Sequence, residues 1–405
     1  MHKIERLLQT LAPKGVEFKK IGELFKRNKG INITAAQMKE LHSEIGKVRI
    51  FAGGATKADI NYKDISKKDI INCESVIIKS RGNIGFEYYN QPFSHKNEIW
   101  SYSSKTNQML VKFLYYYLSN NQYYFQKLAQ SSSVKLPQLS VSDTDEYEVP
   151  IPPLEIQQEI VKILDAFTEL NTELNTELKA RKKQYQYYQN MLLDFNDINQ
   201  SHKDAKMSAK PYPKRLKTLL HTLVPKGVEF KKLGEVCDFQ KGKSITKKAV
   251  TFGKIPVISG GRQPAYYHNE ANRSGETIAI SSSGVYAGYV SYWDIPVFLA
   301  DSFSVSPKQK TLMPKYLFHY LTTQQDAIHA TKSAGGIPHV YSKDLQNFLI
   351  PIPPLEIQQE IVKILDQFLA LTTDLLAGIP AEIEARKKQY EYYREKLLTF
   401  KPLTP

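Results

Sequence analysis

The residues with the most to offer chemically stand in short polar loops. Lys79-Ser80-Arg81-Gly82-Asn83 sets two cations, a hydroxyl, a primary amide and a glycine side by side. Arginine and asparagine can each hydrogen-bond two atoms of one base edge, whereas lysine and serine chiefly hold phosphate oxygens. Lys135 and Gln138 flank Pro137 in a second loop of this kind. Three more follow: Arg262-Gln263 after Gly261, Ser282 between Ser281 and Ser283, and Lys332-Ser333 with His339. Together they make donor-rich candidate sites for nucleic acid. The plainer alternative is a set of solvated turns whose glycines serve the backbone.

Covalent or cofactor chemistry finds no comparable support. The chain has no G-x-G-x-x-G after a strand, no G-x-x-x-x-G-K-[ST] and no G-x-S-x-G, so dinucleotide binding, a P-loop NTPase and a serine nucleophile elbow are all unsupported. The Pro-Pro pairs at 152–153 and 353–354 are followed by leucine and lack the Asn/Asp-Pro-Pro-aromatic pattern of amino methyltransferases. Glu74 and Lys79 flank a strand-like run, but their spacing differs from the metal-nuclease E-x-K, and the related run at Glu276 lacks the lysine. Cys73 and Cys237 are the only cysteines, and the nine histidines show no metal-ligand spacing. A disulfide framework or a structural zinc site is therefore not expected.

Charge points the same way as the loops. The chain has 55 basic and 41 acidic residues, a formal net charge of +14. Such a surplus favours a polyanionic partner. The N-terminus has no apolar signal core and no run of 18 apolar residues occurs, so a soluble, cytoplasmic protein without a membrane span is expected.

The elements that must position these loops are organised by a duplication. Pro150–Asp165 reads PIPPLEIQQEIVKILD, and the same sixteen residues recur at Pro351–Asp366. PKGVEFKK occurs at 13–20 and 225–232, and ARKKQY at 180–185 and 385–390. Self-similarity of this kind defines the architecture before any local reading. Each unit runs from a short amphipathic helix (Ile4–Leu11; Leu216–Val224), through a globular stretch, to a long helix. Ser75–Ile78 and Glu98–Tyr102 read as strands, and Met109–Leu118 as a helix. Ile156, Ile160, Ile163, Phe167, Leu170 and Leu174 step by 4, 3, 4, 3, 4, a coiled-coil seam. A continuous helix from Pro153 to Leu193 would be about 60 Å long. Residues 168–179 add a four-residue repeat, TELN-TELN-TELK. Gly378 and Pro380 predict a kink or break in the second long helix.

The expected fold class is therefore α+β (mixed α/β). Two related globular domains alternate with two long antiparallel helices that form a coiled coil, with an internal pseudo-twofold repeat. The expected segments are 1–149 (short helix and first globular domain), 150–193 (first long helix), 194–215 (linker), 216–350 (second helix and globular domain) and 351–405 (second long helix). Under this symmetry the segment near Leu398 should lie close to Ile4.

A coiled coil requires only its seam to be kept, yet polar positions of the repeated block also recur. Glu155, Gln157, Gln158, Glu159 and Lys162 return as Glu356, Gln358, Gln359, Glu360 and Lys363. The globular stretches have meanwhile diverged. This pattern suggests one surface presented twice, to two copies of one partner; sequence exchange between the repeats is the alternative.

The pattern resembles the specificity subunit of a type I restriction–modification system. The residues that carry the resemblance are the two copies of PIPPLEIQQEIVKILD, each following a globular domain, and the TELN-TELN-TELK run, which is similar to the short central repeats of that family. The likeness spans essentially the whole chain; the Gly378–Pro380 interruption departs from it. The resemblance implies two target-recognition domains, each reading half of a split double-stranded DNA target, with the long helices as a ruler between them. It also implies no catalysis in this chain. Two methyltransferase subunits that bind S-adenosylmethionine would dock on it, and through them the restriction subunits, where ATP and Mg are expected. A self-contained DNA methyltransferase or nuclease, and a coiled-coil scaffold that binds no DNA, are the competing readings. The missing motifs speak against the first, and the charge and paired domains against the second.

Overall fold

The computed structural model describes residues 2–131, 136–196, 211–308, 310–333, 336–373 and 378–403. Lys135 and most of the 194–215 linker lie outside the described residues. The chain divides into two compact units. The first is Met1–Asn175 with Ile383–Pro405, and the second is Thr176–Glu382.

The first unit is built on a four-stranded antiparallel sheet in the order Phe25–Asn28, Trp100–Ser104, Ser75–Lys79, Gly85–Tyr89. A three-stranded sheet holds Lys57–Ile60, Val48–Phe51 and Phe93–His95, and Glu17–Lys20 pairs with Glu148–Ile151. The period of two along a strand decides what the central strand touches. Val76 and Ile78 join the core under the helix Val111–Asn120. Ile77 points the other way, to Phe51, Phe93 and Ile99. Burial on both faces explains why SVIIK reads as a continuous apolar run.

The second unit repeats this plan. Its four-stranded sheet runs Cys237–Lys241, Ser302–Pro307, Thr277–Ser281, Val290–Trp293, and its three-stranded sheet runs Tyr266–His268, Ile255–Ile258, Phe298–Leu299. Ile278 and Ile280 face the core under the helix Pro314–Thr323, and Ala279 faces Ile258, Val297 and Leu299. The duplication thus persists in strand order where the sequences have diverged.

The first long helix is continuous over Leu154–Leu193. The second is divided into Leu355–Thr373 and Ile379–Leu398. Gly378 ends up buried, and its carbonyl accepts from the Ala381 amide at 3.0 Å. Pro380 then falls in the first turn of the new helix, where its missing N–H costs nothing.

Some local expectations shift. The strand expected at Glu98–Tyr102 is Trp100–Ser104, because Glu98 lies in a turn whose carbonyl accepts from the Ser80 hydroxyl at 2.6 Å. The helix expected at Met109–Leu118 begins at Val111, because the Leu110 amide is taken by the Gln157 side chain at 2.8 Å. The heptad seam proves to be two stripes. Ile156 and Ile160, joined by Leu164, are buried in the domain core. Phe167 instead stacks on Tyr393 of the C-terminal helix, with ring centroids 5.6 Å apart.

The first unit also joins the two ends of the chain. Ile4 shares a core with Leu397 and Leu398, as the symmetry predicted. The Val16 amide donates to the Lys401 carbonyl at 2.9 Å, and the Leu403 amide donates to the Val16 carbonyl at 2.9 Å. Gly15 lies at φ +108°, and a Cβ there would meet the Lys401 and Pro402 carbonyls at 2.6 Å. Only glycine permits that approach, which gives Gly15 of the first PKG a structural role.

Candidate nucleic-acid interface

The polar loops read separately from the sequence prove to be joined in pairs. In the first unit the Gly82 amide donates to the Pro137 carbonyl at 2.8 Å, and the Leu139 amide donates to Ser80 at 2.8 Å. Arg81 and Gln138 therefore form an isolated antiparallel bridge. In the second unit the Gly284 amide donates to Pro338 at 3.0 Å and the Val340 amide donates to Ser282 at 2.9 Å, bridging Ser283 and His339. Gly82 and Gly284 lie at φ +76° and +85°, a left-handed turn that favours glycine in both. A glutamine bonds the backbone that follows each turn. Gln126 accepts from the Ile84 amide at 3.0 Å, and Gln325 accepts from Val290 at 3.3 Å.

On this common frame the side chains differ. The first unit presents Arg81, Asn83 and Gln138, all exposed. Lys79 is held on Glu87 at 2.7 Å, within the sheet. In the second unit the position of Arg81 is Ser283, whose hydroxyl donates to the Asp301 carboxylate. Its guanidinium comes instead from the Gly-Gly loop, where a Cβ on Gly260 would lie 2.5 Å from the Ser283 carbonyl. Arg262 lies over the rings of Tyr286 at 4.9 Å and Tyr289 at 5.6 Å. Such cation–π contacts pre-orient the guanidinium while leaving its N–H groups outward. Gln263 beside it is exposed. The Lys332 ammonium donates to the Val285 carbonyl at 3.4 Å. His339 stacks on Tyr341, and Lys343 lies over the Tyr341 ring at 5.5 Å.

A cleft of about 280 Å³, lined in part by Lys241, Ser282, His339, Tyr341 and Lys343, opens beside this turn. His329 lies on the helix Gln325–Ala330 of the same unit. Burial first, then the Lys332 charge, hold its imidazole below the usual value; Asp326 opposes this and Arg262 adds to it. Tyr286, Tyr289, Tyr341 and Lys343 escaped the sequence reading. A tyrosine at a loop tip near an arginine carries no sequence signal when the two are 24 residues apart.

The repeated block separates into two sets. Gln157 is buried; its amide donates to Pro152 at 2.7 Å and Gln108 at 2.8 Å, and its carbonyl accepts from Leu110. Gln358 does the same with Pro353, Thr311 and Met313. Asp165 accepts from Lys112 at 2.7 Å and Tyr116 at 2.5 Å, and Asp366 accepts from Lys315 at 2.7 Å and His319 at 2.8 Å. Glu159 pairs with Lys3 at 2.5 Å, and Glu360 with Arg215 at 3.1 Å, each fastening the short first helix of its unit. Each of these residues has a partner inside its own unit. Glu155, Gln158 and Lys162, with Glu356, Gln359 and Lys363, are exposed in both units and lie along one helix face.

No helix among the described residues is long and apolar enough to cross a membrane. The model of the type I restriction modification DNA specificity domain matches residues 13–184 and again 225–385. The chain is 32% identical over 333 residues to the specificity subunit of the type I restriction enzyme EcoR124I/EcoR124II of Escherichia coli, covering 75% of this chain and 74% of that one. It is 28% identical over 332 residues to the MpnII specificity subunit of Mycoplasma pneumoniae, covering 67% and 94%. The fold is that of a type I restriction–modification S subunit from M. genitalium, with a TM-score of 0.66 over 97% of this chain and 98% of that one at 20% identity. With the domain model matching twice, along the two halves of one duplicated fold, the chain belongs to the type I restriction–modification DNA specificity family.

Proposed function

We propose that the two units read the two halves of a split double-stranded DNA target and that the chain itself performs no catalysis. One observation carries this reading. The same bridged turn, Ser80–Gly82 on Pro137–Leu139 and Ser282–Gly284 on Pro338–Val340, holds different side chains in the two units. A constant frame with altered tips is what two readers of two sequences require. Arg81, Asn83 and Gln138 serve one half-site. Arg262, Gln263, Lys332 and His339 serve the other, with Ser282 in the frame and Lys79 steadying the sheet edge. Two methyltransferase subunits dock on the exposed faces Glu155-Gln158-Lys162 and Glu356-Gln359-Lys363, and restriction subunits join through them. S-adenosylmethionine, ATP and Mg belong to those partners.

The test is binding of the full-length chain to duplexes it selects from a random-sequence pool. Affinity should fall steeply with salt, as counterion release requires. Arg262→Ala should cost about 1–3 kcal/mol and relax preference at one base pair. Salt-independent binding, or unchanged preference in the variant, would overturn the assignment.

A further inference from the structure

We propose that each unit drives an aliphatic side chain, Leu136 in the first and Ile337 in the second, between stacked base pairs of the half-site it reads. The inference rests on the DNA-reading function and adds to it a deformation of the DNA.

Both residues immediately precede the proline that closes the bridged turn, and they are 45% and 65% exposed. The residues that follow them are hydrogen-bonded into the turn. Each following proline carbonyl is taken by the Gly82 or Gly284 amide, and the Ile337 carbonyl accepts from the His339 Nδ1–H at 2.7 Å. A single exposed aliphatic residue is ordinary on any protein surface. Its recurrence at equivalent positions of two diverged units is less so, because beyond the shared Ser, Gly and Pro of the frame the side chains at the tip have changed. Arg81 is replaced by Ser283, Asn83 by Val285 and Gln138 by His339. Aliphatic character is kept where polar identity is not.

The surroundings specify the occupant. In the second unit Val285 (81% exposed) and Tyr286 (42%) widen the apolar tip. Arg262 lies over Tyr286, Lys332 reaches the Val285 carbonyl, and Lys343 lies over Tyr341. An apolar tip whose Val285 and Tyr286 carry contacts from Lys332 and Arg262 matches a duplex, which offers apolar base faces inside a wall of phosphates. Proteins that kink DNA use leucine, isoleucine and similar wedges in this way. The cost of unstacking is lowest at flexible pyrimidine–purine steps, so a wedge selects sequence without a hydrogen bond. The first unit has polar Asn83 where the second has Val285, and it should distort its half-site less.

The experiment uses the full-length chain and the duplex it enriches from a random pool. 2-Aminopurine replaces each adenine in turn and pyrrolocytosine each cytosine, on both strands, and fluorescence is read with and without protein. Binding should raise emission severalfold at one step in each half-site, more strongly in the half read by the second unit. Leu136→Ala should abolish the rise in the first half only, and Ile337→Ala in the second half only. Leu136→Phe and Ile337→Phe should keep it. Because both side chains are exposed, the circular dichroism melting curves of all four variants should match the parent. If no duplex is enriched, the DNA-reading function fails and the wedge with it. If a duplex is enriched and bound but no position brightens, or brightens equally in the alanine variants, the wedge alone is overturned.

Discussion

Replacing Gln157 by leucine tests whether the repeated block is kept for internal reasons. The leucine fills a similar volume but leaves the Leu110 amide without its acceptor and deprives the Pro152 and Gln108 carbonyls of a donor. A buried group left unsatisfied costs about 1–3 kcal/mol, and the added apolar burial returns part of this. A net loss of about 2–4 kcal/mol is expected, read as a lower urea midpoint at unchanged slope. The only tryptophans are Trp100 in the first unit and Trp293 in the second. In a Trp293→Phe background, emission therefore follows the first unit. Gln358→Leu, followed through Trp293 in a Trp100→Phe background, should lose a similar amount. If either variant shifts its transition by less than about 0.5 kcal/mol, the glutamines are not structural and the recurrence of the block needs another cause.

Three further outcomes are expected. Burial alone would raise the Asp366 carboxyl, but hydrogen bonds from His319 and Lys315 outweigh it and hold the group below its ordinary value. The carboxylate therefore contributes stability above the unfolded pKa of about 4, and that contribution is lost as pH falls through the lower folded value. Asp366→Asn should melt below the parent at pH 7 and converge with it in acid; a difference independent of pH would contradict this. Cys73 is exposed, whereas Cys237 is buried and its thiol pushed up to about 12, so a thiol reagent should titrate one equivalent in the native protein and two in urea. Deleting Thr168–Asn171 shortens the first long helix by about 6 Å. With base pairs about 3.4 Å apart, the gap between half-sites should shrink by one to two base pairs with the half-sites unchanged, and an unaltered gap would refute a measuring role for the helix.

The duplication, the continuous first helix and the break before Pro380 were legible because each depends on local pattern or exact repetition. The glycine and cation of Ser80-Arg81-Gly82 likewise announced a turn with donors. The pairing of Gly82 with Pro137 was not legible, since a backbone hydrogen bond between segments 55 residues apart leaves no mark on side-chain type. Nor could the sequence separate Gln157 from Gln158. Both are polar and both recur, and only the position of Leu110 and Gln108 decides that one is buried and bonded while the other faces solvent. Glu159 and Glu360 likewise recur beside exposed neighbours, and nothing in the sequence marks the cations they pair with, 156 and 145 residues away. Conversely, Arg262 reads as a donor in the sequence, but its stacking on Tyr286 and Tyr289 depends on the folded course of two loops.

The central claim is that each unit reads its own half of one split target. It is tested most directly by sequencing methylated positions in DNA from cells that co-express this chain with a cognate methyltransferase subunit. The parent should give one bipartite motif. Arg81→Ala with Gln138→Ala should change bases in one half only, and Arg262→Ala with His339→Ala in the other half only, with the gap constant throughout. A motif without two separable halves, or a variant of one unit that alters both halves, would contradict the account.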